Sequence, residues 1–155
     1  MTHAPEFAAT FITLYAAHLM GDHWIQTHEQ ALVKACVGWS GRLAAARHVA
    51  TMTATKLALL ALAWAAGALA PTVWLIPALA LDAASHYVID RRVPLIRLAE
   101  AMDRIYPPFR KAEFAALGAP RPGRDDNPSL GTGMYSMDQS IHVLFLFLAA
   151  LIAAR

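Results

Sequence analysis

Histidine and aspartate recur four residues apart in three places along the chain: His18 and Asp22, His86 and Asp90, and Asp138 and His142. Gln26 follows Asp22 by the same interval, Asp82 precedes His86 by it, and His48 stands between the groups. A four-residue step puts two side chains on one helix face about a turn apart, so each group can aim at one point. Imidazole nitrogen and carboxylate oxygen are ligands of zinc, iron and manganese. His18, Asp22, His48, His86, Asp90, Asp138 and His142 are therefore candidate ligands for a divalent metal, zinc first, with iron or manganese as alternatives. Asp22, Asp90 and Asp138 are the catalytic candidates, because a carboxylate not bound to metal can take a proton from an attacking water. Gln26, Asp82 and Gln139 are placed to support the ligands from behind. The set allows one ion with supporting partners, or two ions sharing carboxylates. Two other readings stand beside it: proton or ion handling without a tightly held metal, and a His–Asp hydrogen-bond network that only locks helices together.

These residues lie in a strongly apolar chain. Of 155 residues, 57% are apolar and 15% charged, and the mean hydropathy is +0.41. Soluble domains run near 45–50% apolar and about 25% charged, so an ordinary secreted enzyme and a disordered segment are both excluded. A net charge of +2 is too small to suggest a nucleic-acid partner, and the single cysteine, Cys36, excludes a disulfide framework or a cysteine zinc site. The start lacks the basic segment of a signal peptide, so the first apolar stretch is expected to be retained as structure.

Four stretches approximate the roughly 20 apolar residues of a membrane span: 7–25, 48–69, 72–89 and 137–154. The predicted fold is an all-α, four-helix transmembrane bundle, a single integral membrane domain over 1–155. Lys34, Arg42 and Arg47 fall in the connection 26–47, and Arg91, Arg92, Arg97, Arg104, Arg110, Lys111, Arg121 and Arg124 in the connection 90–136. The link between the second and third spans carries none. The positive-inside rule makes both connections cytoplasmic and both termini external, in a multi-pass membrane protein. At ~1.5 Å per residue, the His and Asp groups of all four spans then fall within about the inner third of the bilayer. Because the orientation comes from Lys and Arg alone, that agreement is independent support.

Between the third and fourth spans, residues 94–106 put Leu95, Leu98, Ala99, Met102 and Ile105 on one helical face and Arg97, Glu100, Asp103 and Arg104 on the other. This pattern predicts an amphipathic helix on the inner membrane surface. Pro107 and Pro108 end it, residues 109–117 form a second short helix, and 118–133 read as a loop. Ser136 and Gln139 match a capping box opening the last helix. Lys56 and Asp82 lie ~12 Å deeper than His48 and Asp90, at equal depth on antiparallel neighbours, which predicts a structural ion pair. His3, His23 and His28 read as surface histidines and Cys36 as without a role. Trp24, Trp39 and Trp74 read as interfacial anchors. Ser85 and Ser140 lack the surroundings of a nucleophile.

The combined pattern of His18, Asp22, Gln26 and Thr27, then Lys34, His48, His86 and Asp90, and finally Asp138, Gln139 and His142 resembles the domain-of-unknown-function family numbered 3307. Its members are small multi-span membrane proteins of bacteria and their phages. The resemblance runs from about residue 17 to 146 and implies the same fold and residue set, but no activity. Where members commonly carry an aromatic after the first aspartate, this chain has His23, which raises it as a further ligand. Its connection from Arg92 to Tyr135 is also longer and more basic.

The function expected from the residues is a membrane-embedded, metal-dependent hydrolase. It would act at the cytoplasmic face on a lipid or lipid-linked substrate, with basic residues of the connections holding a phosphate. The alternatives are a divalent-cation or proton transporter, which with four spans would work as a homo-oligomer, and a non-enzymatic adaptor whose basic connection docks a cytoplasmic partner.

Overall fold

The computed structural model describes residues 3–118 and 133–155, and all regular structure among them is helical. α1 (Ala4–Met20) continues through a π-helical turn, Gly21–Ile25, and is followed by short α2 (His28–Val33), α3 (Trp39–Ala65) and α4 (Leu75–Asp90). Then come α5 (Val93–Ile105), a 3₁₀ turn (Pro107–Phe109), α6 (Lys111–Ala115) and α7 (Gly133–Ala153). α1 packs on α3 and α7, and α4 packs on the same two, so the four long helices close a ring. α1 and α4 end, and α3 and α7 begin, at the same end of that ring.

Burial in the ring is inverted relative to a water-soluble bundle. His18, His48, Lys56, Asp82, His86, Asp90 and His142 are buried, whereas Ile12, Leu57, Leu62, Ile76, Leu144 and Leu151 are each at least 45% exposed. Away from the charged end, the interior is Leu14, Leu60, Leu69, Ala78, Leu146, Ala149 and Ala153. The alanines bring the backbones close where no polar contact holds them.

α3 and α7 are long and apolar enough to cross a membrane. α1 and α4, with 17 and 16 residues, fall short by themselves. α3 starts nine residues before the expected 48, because the helix-favouring run 43–46 carries helix back to Gly38, whose φ of 96° stops it. It ends at Ala65 rather than 69, two residues before Gly67 at φ 73°. α7 begins at Gly133, not 137, so Ser136 lies inside the helix and does not cap it. The capping box of this chain is Thr27 with Gln30, at the start of α2.

The amphipathic helix is α5, but its apolar face is narrower than expected. Leu95 and Ala99 are buried, while Leu98 and Ile105 are exposed. Asp103, on the polar face, caps α6 by accepting the Lys111 and Ala112 amides at 2.6 and 2.8 Å. The loop expected over 118–133, with Arg121 and Arg124, lies almost wholly outside the described residues.

Candidate metal centre

The structure brings all seven candidate ligands to the charged end of the ring. α1 contributes His18 and its π turn Asp22; α3 contributes His48; α4 contributes His86 and Asp90; α7 contributes Asp138 and His142. At the centre, His48 Nε2 and His86 Nε2 face each other at 3.0 Å. Asp22 Oδ1 lies 3.0 Å from His48 Nε2 and 3.7 Å from His86 Nε2. Asp90 Oδ2 lies 3.4 and 3.5 Å from the same two atoms. Ligands held tetrahedrally at 2.0–2.1 Å from an ion stand about 3.3 Å apart. The five separations between 3.0 and 3.7 Å put Asp22 and Asp90 each at ligand-to-ligand spacing from the His48–His86 pair. Two imidazole nitrogens this close must share either a proton or a cation, since two lone pairs repel. The Nδ1 atoms of both rings are buried without hydrogen-bond partners, so no second bond fixes the ring orientation.

The remaining groups form a layer toward α7. Asp90 Oδ1 and Asp138 Oδ2 each lie 3.7 Å from His142 Nε2. Single ligand atoms of Asp22, His48 and His86, of Asp90, Asp138 and His142, and of His18, His86 and His142 each cluster within 4.8 Å, so these sets can hold a metal ion. Gln139 joins two of the helices. Its Nε2 donates to Asp22 Oδ2 at 3.1 Å, and its Oε1 lies 3.2 Å from His18 Nε2 and accepts from it when that nitrogen is protonated. His18 is in turn 3.5 Å from Asp22 Oδ2. Gln139 and His18 thus both contact Asp22 Oδ2.

Gln26 does not join the cluster. The π turn widens the helix after Asp22, closing with Gln26 N donating to Gly21 O at 2.8 Å, and Gln26 itself is extended at ψ 128°. The four-residue register that would have aligned Gln26 with Asp22 is lost there. Asp82 is spent on Lys56, whose Nζ donates to both carboxylate oxygens at 2.7 and 2.6 Å. His23 points away, with Nε2 2.8 Å from the Tyr135 hydroxyl and Nδ1 3.1 Å from Leu19 O.

Two residues of the site, Lys34 and Arg91, were not assigned to it from the sequence. Lys34, at the end of α2, turns back into the ring and places Nζ 2.8 Å from Asp90 Oδ1. Arg91 fixes its backbone by donating to Lys34 O at 2.5 Å and to Cys36 O at 2.6 Å. Gly41 is what allows that turn to lie on α3, because a Cβ there would collide with Cys36 O. Arg92 makes the corner to α5 at φ 57°, leaving Arg91 directed at the turn. The available signal was the place of Lys34 among the family-like motif residues; loop charge alone gave no reason to bring it inside.

The formal charges are consistent with one divalent ion. Asp22, Asp90 and Asp138 against the Lys34 ammonium leave two negative charges among imidazoles, while Lys56 and Asp82 cancel each other. Uncompensated charge in such an interior costs several kcal/mol per group, so a divalent cation is the economical counter-ion.

Fold and site together define an all-helical protein with a buried His–Asp cluster able to hold a metal ion. This chain belongs to the family described as "Protein of unknown function (DUF3307)", which it matches over residues 10–154. No curated protein and no solved structure matches it.

Proposed function

We propose that the protein is a multi-pass inner-membrane metalloprotein that hydrolyses a lipid or lipid-linked substrate at the cytoplasmic face. The observation that carries this reading is the facing pair His48 Nε2 and His86 Nε2, 3.0 Å apart, with Asp22 Oδ1 and Asp90 Oδ2 each within 3.0–3.7 Å of both. Zinc suits these nitrogen and oxygen donors best, with iron or manganese as alternatives. A bound divalent ion would supply Lewis-acid activation of water and of a phosphoryl or carbonyl oxygen. Asp138, with 18% of its side chain exposed, is the most open carboxylate of the cluster and is the group to accept the proton of the attacking water. His142 orients it, and Gln139 holds Asp22 in one rotamer.

Four features support the membrane setting. Charged side chains are turned inward and leucine and isoleucine outward. Trp24 and Trp39 are exposed at one end of the ring and Trp64 and Trp74 at the other, as in aromatic belts. α3 spans ~40 Å over its 27 residues, enough to cross the hydrocarbon core and enter both headgroup layers. The asymmetry of Lys and Arg puts the metal cluster at the cytoplasmic level, with both termini outside. On the adjoining face of α7, a cleft of about 400 Å³ lined by Leu95, Met102, Phe114, Met137 and Ile141, with Lys111 beside them, suits an acyl chain with an anionic headgroup. Against transport stands the apolar packing of Leu14, Leu60, Leu146 and the alanines, which among the described residues forms the interior away from the cluster.

The test is elemental analysis of protein purified in detergent and reloaded with zinc, iron or manganese, with His86→Ala and Asp90→Asn alongside. Loaded protein is then incubated with a bacterial polar lipid extract and the products are read by mass spectrometry. The expected result is one ion per chain in wild type, loss in both variants, and metal-dependent appearance of a cleaved lipid. Absence of metal after reloading refutes the metal centre; metal without lipid cleavage refutes the hydrolase.

A further inference from the structure

The cluster contains more ligand atoms than one tetrahedral ion uses, and the surplus is grouped. Asp90 faces two ways: Oδ2 lies near His48 and His86, while Oδ1 turns toward His142 Nε2 at 3.7 Å. Asp138 Oδ2 is also 3.7 Å from His142 Nε2, and one ligand atom from each of the three residues falls within 4.8 Å of the others. His142 is 2% exposed and its Nε2 has no hydrogen-bond partner among the described residues. A carboxylate bridging two positions, one completed by His48 and His86 and the other by Asp138 and His142, is the plan of a two-metal site with ions about 3.5–4 Å apart. Yet a cation already stands on the Asp90 oxygen that faces this second position: Lys34 Nζ is 2.8 Å from Asp90 Oδ1.

We infer that the Lys34 ammonium replaces a second metal ion. Its removal opens a second cation site formed by Asp90 Oδ1, Asp138 and His142. The inference rests on the metal reading above and adds the number of ions and the residue that sets it. Lysine suits the role because it brings a compact point charge on a long stem with no acceptor of its own. Arg91 makes the placement fixed by holding the carbonyls of Lys34 and Cys36, so the stem leaves from a set point. The charge count agrees, since one ammonium and one divalent ion neutralise Asp22, Asp90 and Asp138, whereas two divalent ions would overshoot. Without Lys34, two divalent ions leave one net positive charge, which an anionic substrate group or a hydroxide can offset.

The experiment compares zinc content, after reloading and desalting, of wild type, Lys34→Met, Lys34→Arg and Lys34→Met/His142→Ala. Methionine keeps the length and removes the charge; arginine keeps the charge. The expected contents are one ion per chain in wild type, two in Lys34→Met, one in Lys34→Arg, and one again in the double variant. One ion in both wild type and Lys34→Met overturns the inference and leaves the metal centre standing. No ion in any of them overturns the metal centre and the inference with it. A measurement on wild type alone covers a Lys34→Met protein that does not fold. Manganese-loaded wild type should give the electron paramagnetic resonance spectrum of an isolated ion, and the broadened spectrum of a coupled pair overturns the inference.

Discussion

Lys56 and Asp82 offer the sharpest test of how this interior is held. Both are buried, and Nζ donates to both carboxylate oxygens at 2.7 and 2.6 Å. At an effective dielectric of about 20, two unit charges at this distance attract by ~6 kcal/mol. Desolvating them costs several kcal/mol per ion, so the pair is close to break-even while either charge alone is strongly unfavourable. Asp82→Asn, which strands the ammonium, should destabilise by about 3–5 kcal/mol, and Lys56→Met, which strands the carboxylate, by about the same. The double variant Lys56→Met/Asp82→Leu should come within about 1 kcal/mol of wild type or exceed it. The cycle then yields a coupling larger than ~3 kcal/mol, well above the few tenths found for independent sites. Unfolding is followed by tryptophan fluorescence as sodium dodecyl sulfate is titrated into detergent micelles, with the metal content of each folded variant measured in parallel. The double variant should keep its metal, because neither residue touches the central ligand set. Additive losses in the double variant, or loss of its metal, would refute the separation of this pair from the site.

Three further outcomes follow from the geometry. Cys36 is exposed and is the chain's single cysteine, so a membrane-impermeant maleimide should label inverted vesicles and spare intact spheroplasts; the reverse pattern overturns the orientation. A Cβ at Gly21 would meet the flexible Met52 thioether, whereas one at Gly41 would meet the Cys36 carbonyl. Gly21→Ala should therefore cost about 1 kcal/mol and Gly41→Ala about 3 kcal/mol or more in the same unfolding assay; equal costs would show that the turn over α3 yields freely. Arg91→Met removes the donors to Lys34 O and Cys36 O. It should expose the 34–38 turn to protease at least tenfold faster while leaving α1 and α7 protected, and unchanged cleavage would show that the turn is held by other contacts.

Much of the site was legible because helical spacing is a strong constraint. His18 with Asp22, His86 with Asp90, and Asp138 with His142 each stand one turn apart, and a helix leaves them little choice but to share a face. The equal depth of Lys56 and Asp82 was readable for the same reason. What escaped was set by departures from that regularity. The π turn after Met20 carries no distinctive residue pattern, so Gln26 looked like another member of the series. Lys34 looked like a loop cation, because a count of charges by side of the membrane does not distinguish a lysine in water from one that bends back into the bundle. Ser136 and Gln139 matched a capping pattern, but Gln139 had stronger partners in His18 and Asp22 on a helix far away in sequence. The same pattern at Thr27 and Gln30, where no such partners compete, does form the cap.

The Gln139 bridge also bears on how such a protein is made. Gln139 Oε1 and His18 Nε2 meet across 121 positions of chain, so in the membrane setting proposed above helices α1, α3 and α4 would enter the bilayer well before the helix that covers their charged faces. Until α7 arrives, His18, Asp22, His86 and Asp90 lack their fourth wall, and each carboxylate facing lipid costs about 2.5–3.5 kcal/mol on insertion scales. The nascent protein would then pass through a stage at which three inserted helices still lack the one that covers their polar faces. Such an intermediate is a natural target for membrane proteases, and early capture of an ion by Asp22, His48, His86 and Asp90, none of which belongs to α7, would shorten its exposure. On that reading, biogenesis of this fold would be a race between the closing helix and degradation, with metal supply setting the odds.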